Sequence, residues 1–316
     1  MDYSKKCTIC KSTQILKKRN YKFKIPKNSI KFTEIIKKER FVCSVNFCKK
    51  CGNLYLYPRF SEEEYNIIFP SKDIKDHLNI TSNQTILRAS LNYNFLKSFI
   101  NLKSNKRPKI LDYGGAAGNM LIPFLNKFDC YLADYNKYDL PKAIQYLGRS
   151  LDNIEDLYQF DIIMALRVLE HVNDPLNLIK TLTHVITDNG IIYVQVPLGC
   201  LREWKFLDTP FRHINYFSEQ SLYNCFKIAG LNIIYLKTRY YKIGGNPGWK
   251  IDIIGKKRSE GQKQKKIKFH STTQQQNLKY FYYTPYIIRN NKFKLGEIKK
   301  ILKILKRRLN PRKRKN

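Results

Sequence analysis

Between residues 81 and 255, short apolar runs alternate with longer segments whose apolar positions recur at helical spacing. The runs Lys109–Tyr113, Cys130–Asp134, Ile144–Leu147, Ile162–Leu166 and Ile191–Val196 are too short for helices. They are also too evenly apolar for strands wet on one face, so they predict strands covered on both sides. Helices are predicted over 81–107, where Ile86, Leu87, Leu91, Phe95 and Phe99 fall near a helical period, after Gly118, over Leu176–Ile186, and after Ser218. A turn is expected at Asp188-Asn189-Gly190. Two last strands, Leu231–Lys237 and Lys250–Ile254, flank the glycine-rich run 244–249. This alternation predicts an α/β, Rossmann-like, doubly wound and mostly parallel sheet. The polar, proline-ended break Lys103–Pro108 divides a helical linker (81–105) from a core domain (106–255). A small module (1–80) precedes them, and a basic linker with an amphipathic helical tail (256–316) follows.

The most informative stretch is Lys109-Ile-Leu-Asp-Tyr-Gly-Gly-Ala-Ala-Gly118. A buried strand stops here in a turn of small residues, as a backbone must when it bends sharply and approaches a ligand closely. Gly114, Gly115 and Gly118 do not follow the G-x-G-x-x-G spacing of a dinucleotide fingerprint. The acid ahead of them, Asp112, suits a ligand with an ammonium group. In these residues the chain resembles the class I S-adenosylmethionine-dependent methyltransferases, whose first motif is [Asp/Glu]-x-Gly-x-Gly-x-Gly. Asp112, Gly114 and Gly118 match it, and Ala116 stands where the middle glycine is usual. The resemblance implies S-adenosyl-L-methionine as cofactor, held by Asp112, Gly114, Gly115, Ala116 and Gly118. Asp134, at the end of the second strand and 22 residues beyond Asp112, is placed to accept hydrogen bonds from both ribose hydroxyls. Leu151 is the candidate for packing on adenine, and Arg149 takes the place where the family often has an aspartate.

Ahead of this core stand Cys7-Thr-Ile-Cys10 and Cys48-Lys-Lys-Cys51. Two C-x-x-C knuckles offer four thiolates, each pair spaced to grip one ion, and tetrahedral Zn2+ is the expected occupant. A closed set of four cysteines reads as a structural site, stabilising a module too small to hold itself together. Cys43 reads as a strand residue. The second knuckle runs into a strand, Pro58 and Ser61-Glu-Glu. Knuckles, strand, proline and this capped helix start, placed before a methyltransferase core, resemble the methyltransferases of sugar and polysaccharide biosynthesis, including the sugar C-methyltransferases.

Two later runs extend that resemblance. Val168-Leu-Glu-His-Val-Asn-Asp-Pro175 matches a family signature at the carboxyl end of a buried strand, where ligands of open α/β sheets sit. There, Glu170 and His171 either line the site or pack the loop. His213, Phe217 and Ser218 match a loop-to-helix stretch, and His213 is the first candidate for general base, with a reference pKa of about 6.5. Glu170, His171 and Arg212 stand in reserve. Phe211 and Arg212 replace residues that the C-methyltransferases carry, which leaves O- or N-methylation open.

The net charge of +34 is unevenly spread, with +10 over residues 1–80, +5 over 81–255 and +19 over 256–316. Such charge gives a general attraction to anions and does not specify a nucleic-acid partner. Leu295, Ile298, Ile301, Leu302, Leu305 and Leu309 recur at helical spacing among lysines and arginines. They predict a basic amphipathic helix that packs on protein or lies on an anionic membrane surface. The N-terminal residues lack the apolar core of a signal peptide, so a cytoplasmic, reducing setting is expected. The expected activity is methyl transfer from S-adenosylmethionine to a small or glycan-related acceptor, such as a nucleotide sugar or a surface-polysaccharide precursor. The alternatives are an RNA methyltransferase gripping phosphates with its zinc module and basic flanks, and a non-catalytic cofactor-binding protein of the same fold.

Overall fold

The computed structural model describes residues 6–17, 21–24, 40–57, 83–100, 107–135, 140–148, 159–198, 213–241 and 248–257. The N-terminal part contributes strands β1 (Ile15–Lys17), β2 (Tyr21–Lys24), β3 (Arg40–Cys48) and β4 (Leu54–Tyr57). Helix α1 (Asn83–Lys97) leads to β5 (Lys109–Tyr113), a 3-10 helix (Asn119–Phe124), β6 (Asp129–Ala133), β7 (Ile144–Tyr146) and β8 (Phe160–Leu166). Then follow α2 (Pro175–His184), β9 (Ile186–Pro197), β10 (Asn215–Tyr216), α3 (Glu219–Ile228), β11 (Leu231–Tyr241) and β12 (Gly248–Lys257). Leu151, Arg149, Phe211, Arg212, the 242–247 loop and the tail beyond Lys257 lie outside the described residues.

Seven strands form the main sheet in the order β11-β12-β9-β8-β5-β6-β7. The five from β9 to β7 are parallel. β12 is antiparallel to both its neighbours, so a hairpin closes one edge of an otherwise parallel sheet. The expected mostly parallel, Rossmann-like sheet is therefore present.

The central strands are buried on both faces, as their unbroken apolar runs require. On one face Ile110, Leu132, Ile162, Met164, Tyr193 and Ile254 pack under Ala89 and Leu96 of α1 and Leu121 and Phe124 of the 3-10 helix. On the other, Leu111, Ile163, Ala165, Val194 and Ile253 meet Leu178, Ile179 and Leu182 of α2 and Leu222 and Phe226 of α3. Each large side chain buried in this way contributes about 1.5–3 kcal/mol.

Asp174 caps α2, accepting from Asn177 N at 3.1 Å with Pro175 at the first helical position, where the missing N–H costs nothing. Ser218 and Ser221 form a capping box on α3, so the helix has its own cap and does not depend on His213 for one.

Three local expectations are corrected. The segment after Gly118 is a six-residue 3-10 helix, because Pro123 cannot continue an α-helical ladder and β6 begins at Asp129. The inward stripe of α1 is Ala89, Asn92 and Leu96. Phe95 and Phe99 join it at the edge, packing on Tyr235, while Ile86, Leu87 and Leu91 are exposed. Asp188-Asn189-Gly190 does not separate two elements. It is an excursion inside β9, where the register with β8 jumps from Phe160–Ile186 to Ile162–Ile191. Among the described residues no helix is long and apolar enough to cross a membrane.

The second sheet joins the N-terminal strands to the core domain. β1, β3 and β4 pair in order, β2 adds to β3, and β10 completes the path by pairing antiparallel with β4. Cys7, Ile9, Cys48 and Cys51 lie in the same buried cluster as Leu169, Leu176 and Phe217 of the core domain. The N-terminal strands are thus continuous with the loop that carries His213.

Candidate active site

β5 ends in a turn whose backbone is unusual at three places, with φ of +69° at Gly114, +50° at Ala116 and +71° at Gly118. Glycine takes such angles freely. Ala116 does so at a cost of about 1–2 kcal/mol for an L-residue in the left-handed region, which is why a glycine is the usual occupant. Gly115 is needed for another reason: a Cβ there would lie 2.2 Å from Asp112 Oδ2 and 2.4 Å from its Cγ. The turn therefore closes directly over the Asp112 carboxyl.

Asp112 is 1% exposed, and its Oδ2 is fully enclosed without a hydrogen-bond partner. Burial first, and then the nearby Asp134, push its carboxyl up to about 7, against a smaller downward pull from Arg88. A buried carboxylate oxygen with no donor is costly, and a ligand ammonium would relieve it. Asp134, just past β6, accepts from Ala116 N at 2.8 Å, so the second acid is turned toward the same turn. Tyr146 donates to its carbonyl at 2.8 Å. Asp112, Gly114, Gly115, Ala116, Gly118 and Asp134 are thus brought together above the carboxyl ends of β5 and β6.

β8 ends beside them, and Arg167 directly after it is held at a φ of +67°. Its Nε lies 3.3 Å from Glu170 Oε1, and His171 Nε2 lies 3.9 Å from the same oxygen. Glu170 is 1% exposed with Oε2 enclosed and partnerless. Its backbone carbonyl accepts from Ile214 N at 2.8 Å and Asn215 N at 3.1 Å. Asn215 Nδ2 also donates to the carbonyls of Leu169 and Val172. These bonds dock the 213–218 segment on the Glu170 loop, and the His171 and His213 rings meet edge to face at 4.7 Å. Glu170 therefore both anchors that loop and lies within reach of His171.

In the N-terminal sheet, Cys7 and Cys51 Sγ lie 3.6 Å apart, Cys10 and Cys48 Sγ lie 3.5 Å apart, and all four are within 4.8 Å of one another. Four sulfurs on a tetrahedral Zn2+ at a Zn–S distance of 2.3 Å stand about 3.8 Å apart, close to the two spacings of 3.5 and 3.6 Å, so the four thiols are gathered as such an ion would need. The bond shared with Cys48 holds the Cys10 thiol low, while hydrogen bonding to Cys10 pushes Cys7 and Cys51 up. The cluster already favours a thiolate.

A row of polar residues on the α1 face was not singled out from the sequence. Asp252 accepts from Tyr193 OH and Gln195 Nε2, each at 2.8 Å, on Oδ1. On Oδ2 it accepts from Arg239 Nε at 2.9 Å and Tyr241 OH at 2.7 Å. Lys250 lies beyond it with its ammonium 4.8 Å from the Tyr241 ring centroid. Burial, then Arg88 and Arg167, push Lys250 down to about 8. Arg88 of α1, itself lowered first by burial and then by Arg167, stands near enough to Asp112 for each to act on the other. The alternation Lys250-Ile-Asp252-Ile was the available signal, since charges two apart in a strand covered on both faces share one buried face.

A glycine turn closed over a buried acid, with a second acid at the next strand and a histidine loop opposite, defines a nucleoside-cofactor transferase site. A family model described as a methyltransferase domain matches residues 83–236, a span that includes α1, the glycine turn, both acids and the histidine loop. The protein is an S-adenosylmethionine-dependent methyltransferase. No curated protein matches the chain.

Among solved structures, the chain is similar to a Burkholderia thailandensis 1,6-didemethyltoxoflavin-N1-methyltransferase with its substrate and S-adenosylhomocysteine bound. That likeness has 12% identity over 69% of this chain and 96% of that one, with a TM-score of 0.47. It is also similar to S-adenosylmethionine-dependent methyltransferases of Clostridium acetobutylicum (12%, 59% and 97%, TM-score 0.44) and Methanosarcina mazei (16%, 53% and 99%, TM-score 0.40). At this level of likeness none of them bears on this chain's acceptor.

Proposed function

We propose that the protein methylates a small or glycan-related acceptor, such as a nucleotide sugar or a surface-polysaccharide precursor, with His213 as general base and Zn2+ in the four-cysteine site. The observation that carries the cofactor assignment is the enclosed, partnerless Oδ2 of Asp112 beneath the glycine turn. When bound, S-adenosylmethionine supplies a methyl group already activated on a sulfonium. Asp112 receives the α-ammonium and Arg88, beside it, the α-carboxylate. Asp134 accepts from the ribose hydroxyls, since a carboxylate has about four lone-pair sites and the Ala116 amide takes one.

The displacement needs alignment and removal of one proton from the acceptor. His213 takes that proton, and His171, in contact with it and near Glu170, orients it and stabilises the charge it gains. What supports a small acceptor is that the Glu170 loop and the 213–218 segment are tied together and to the N-terminal sheet, so the described residues around His213 are held in fixed positions. The zinc assignment draws on the sulfur spacings, which match a tetrahedral ion.

The test is methyl incorporation from labelled S-adenosylmethionine into a panel of nucleotide sugars and into total RNA by the full-length protein. Transfer to a sugar nucleotide that His213→Ala slows by about 100-fold or more, with S-adenosylhomocysteine affinity unchanged, is the expected result. Incorporation into RNA alone would overturn it.

A further inference from the structure

Charges on the α1 side of the sheet can be paired off one by one. Directly paired strand residues share a face and alternate residues return to it. Asp112 pairs with Met164, Met164 with Tyr193, Gln195 with Asp252, and Pro197 with Lys250. Asp112, Tyr193, Gln195, Asp252 and Lys250 therefore share the face covered by α1, and Lys250 stands a row nearer the crevice than Asp252, level with the carboxyl end of β9. Arg239 is matched by Asp252 at 2.9 Å and Arg167 by Glu170 at 3.3 Å. Arg88 faces Asp112, where the cofactor's two tail charges are received.

Lys250 is left over. It is 3% exposed, and among the described residues its ammonium makes no hydrogen bond or ion pair; it lies over the Tyr241 ring, and Asp252 and Glu170 act on it only at longer range, more weakly than burial and the two arginines. Lys250 pairs with Pro197, so it sits at the carboxyl end of β9, the end of the sheet at which the glycine turn and the Glu170 loop also lie. A buried ammonium without a counter-ion is expensive to keep in a fold, and a ligand anion is the partner that would offset the cost. The surrounding Arg88 and Arg167 add positive potential and oppose a metal cation at the adjoining Glu170, His171 and His213.

We propose that Lys250 binds an anionic group, phosphate or carboxylate, carried by the methyl acceptor at the α1-side rim of the crevice. This rests on the reading that a small acceptor enters that crevice.

The test titrates the S-adenosylhomocysteine-loaded full-length protein calorimetrically with inorganic pyrophosphate, glucuronate and glucose. The expected result is that one of the anions binds, glucose does not, and Lys250→Met weakens the anion about 10- to 100-fold. Lys250→Arg retains it, and S-adenosylhomocysteine affinity stays the same in every variant. Preference for pyrophosphate identifies a phosphate on the acceptor, and preference for glucuronate a carboxylate. Should Lys250→Met not fold, Lys250→Gln removes the charge and keeps a polar, hydrogen-bonding end on a side chain one atom shorter. Equal anion affinity in wild type and either neutral variant, or no anion binding to the loaded wild type, overturns the inference and leaves the methyltransferase reading standing. Failure of S-adenosylhomocysteine to bind the wild type overturns both.

Discussion

Asp112 ties cofactor affinity to pH in a way that can be worked from its surroundings. Its carboxyl is raised from 3.8 to about 7 by burial and Asp134. The sign follows directly. An acid whose folded pKa exceeds its unfolded one gains a proton on folding, so its contribution to stability is full below about 4 and is lost as pH rises through 7. The cofactor acts the other way, because an ammonium placed beside the group favours the carboxylate. At pH 6 about nine-tenths of Asp112 is protonated before the ligand arrives, so binding must expel about 0.9 proton and is about eightfold weaker than at pH 7.5.

Calorimetric titration with S-adenosylhomocysteine, which keeps the same amino-acid tail, reads both quantities. The dependence of the heat on buffer ionisation enthalpy at pH 6 counts the protons. The ligand's own α-amine has a reference pKa of about 7.7–8.0 and is partly neutral at pH 7.5, so its separately measured titration is subtracted before the two affinities are compared. Asp112→Asn should flatten the profile. An affinity that is level between pH 6 and 7.5 with no proton released would refute the placement of the ammonium on this carboxyl.

Gly115→Ala should cost at least tenfold in cofactor affinity and about 1–3 kcal/mol in stability, because its Cβ would meet Asp112 Oδ2 at 2.2 Å and Leu132 Cδ1 at 2.7 Å; chemical denaturation and calorimetry check it, and wild-type behaviour contradicts it. Asp252→Ala should destabilise the protein by about 3–5 kcal/mol, since it leaves Arg239, Tyr193, Tyr241 and Gln195 without their shared acceptor; a loss under 1 kcal/mol in urea unfolding would show the network to be slack. Cys48→Ser should abolish binding of one zinc equivalent, lower the melting temperature and slow methyl transfer together, as read by metal analysis, thermal scans and the labelled-methyl assay; zinc loss with full activity would uncouple the metal from the site.

The parallel core was legible because a strand covered on both faces must be mostly apolar, and the central runs of β5, β6, β8 and β9 are, with Asp112 and Gln195 as the buried polar exceptions. The starts of α2 and α3 were legible to within a residue or two, whereas the caps that fix them, Asp174 and Ser218, came from the structure. The cysteine clustering followed from spacing alone, and the structure gathers all four sulfurs. What escaped was set by partners far along the chain. The phase of α1 follows from Tyr193 and Tyr235 beneath it, and an isolated helical pattern with Ile86, Leu87 and Leu91 on the other side gives the wrong face. Arg88 reads as a solvated helix charge until Asp112 is placed under it. Asp252 reads as a strand-surface acid until Tyr193, Gln195, Arg239 and Tyr241 converge on it.

The two-residue strand β10 carries no periodic signal at all, yet it decides how the halves of the chain work together. Its partner β4 begins three residues after Cys51, so whatever fixes the second knuckle also fixes Asn215 and Tyr216. Thr8 lies between the knuckles' first pair and within 3.5 Å of Asn215 Oδ1, Asn53 Nδ2 donates to Thr8 at 3.1 Å, and Ser218 Oγ donates to the Cys51 carbonyl. Lys11 reaches Asp174 at 3.1 Å, a partly buried pair that adds up to about 1 kcal/mol and holds the first knuckle against the start of α2. His213 stands next to the residues so held, on a loop whose carbonyl-side anchor is Glu170. On the proposed reading, with an ion in the four-cysteine site and His213 as base, the cluster would set the position of that base: ordering the four sulfurs would order β4, β4 pairs with β10, and β10 follows directly on the residues that place His213 against His171.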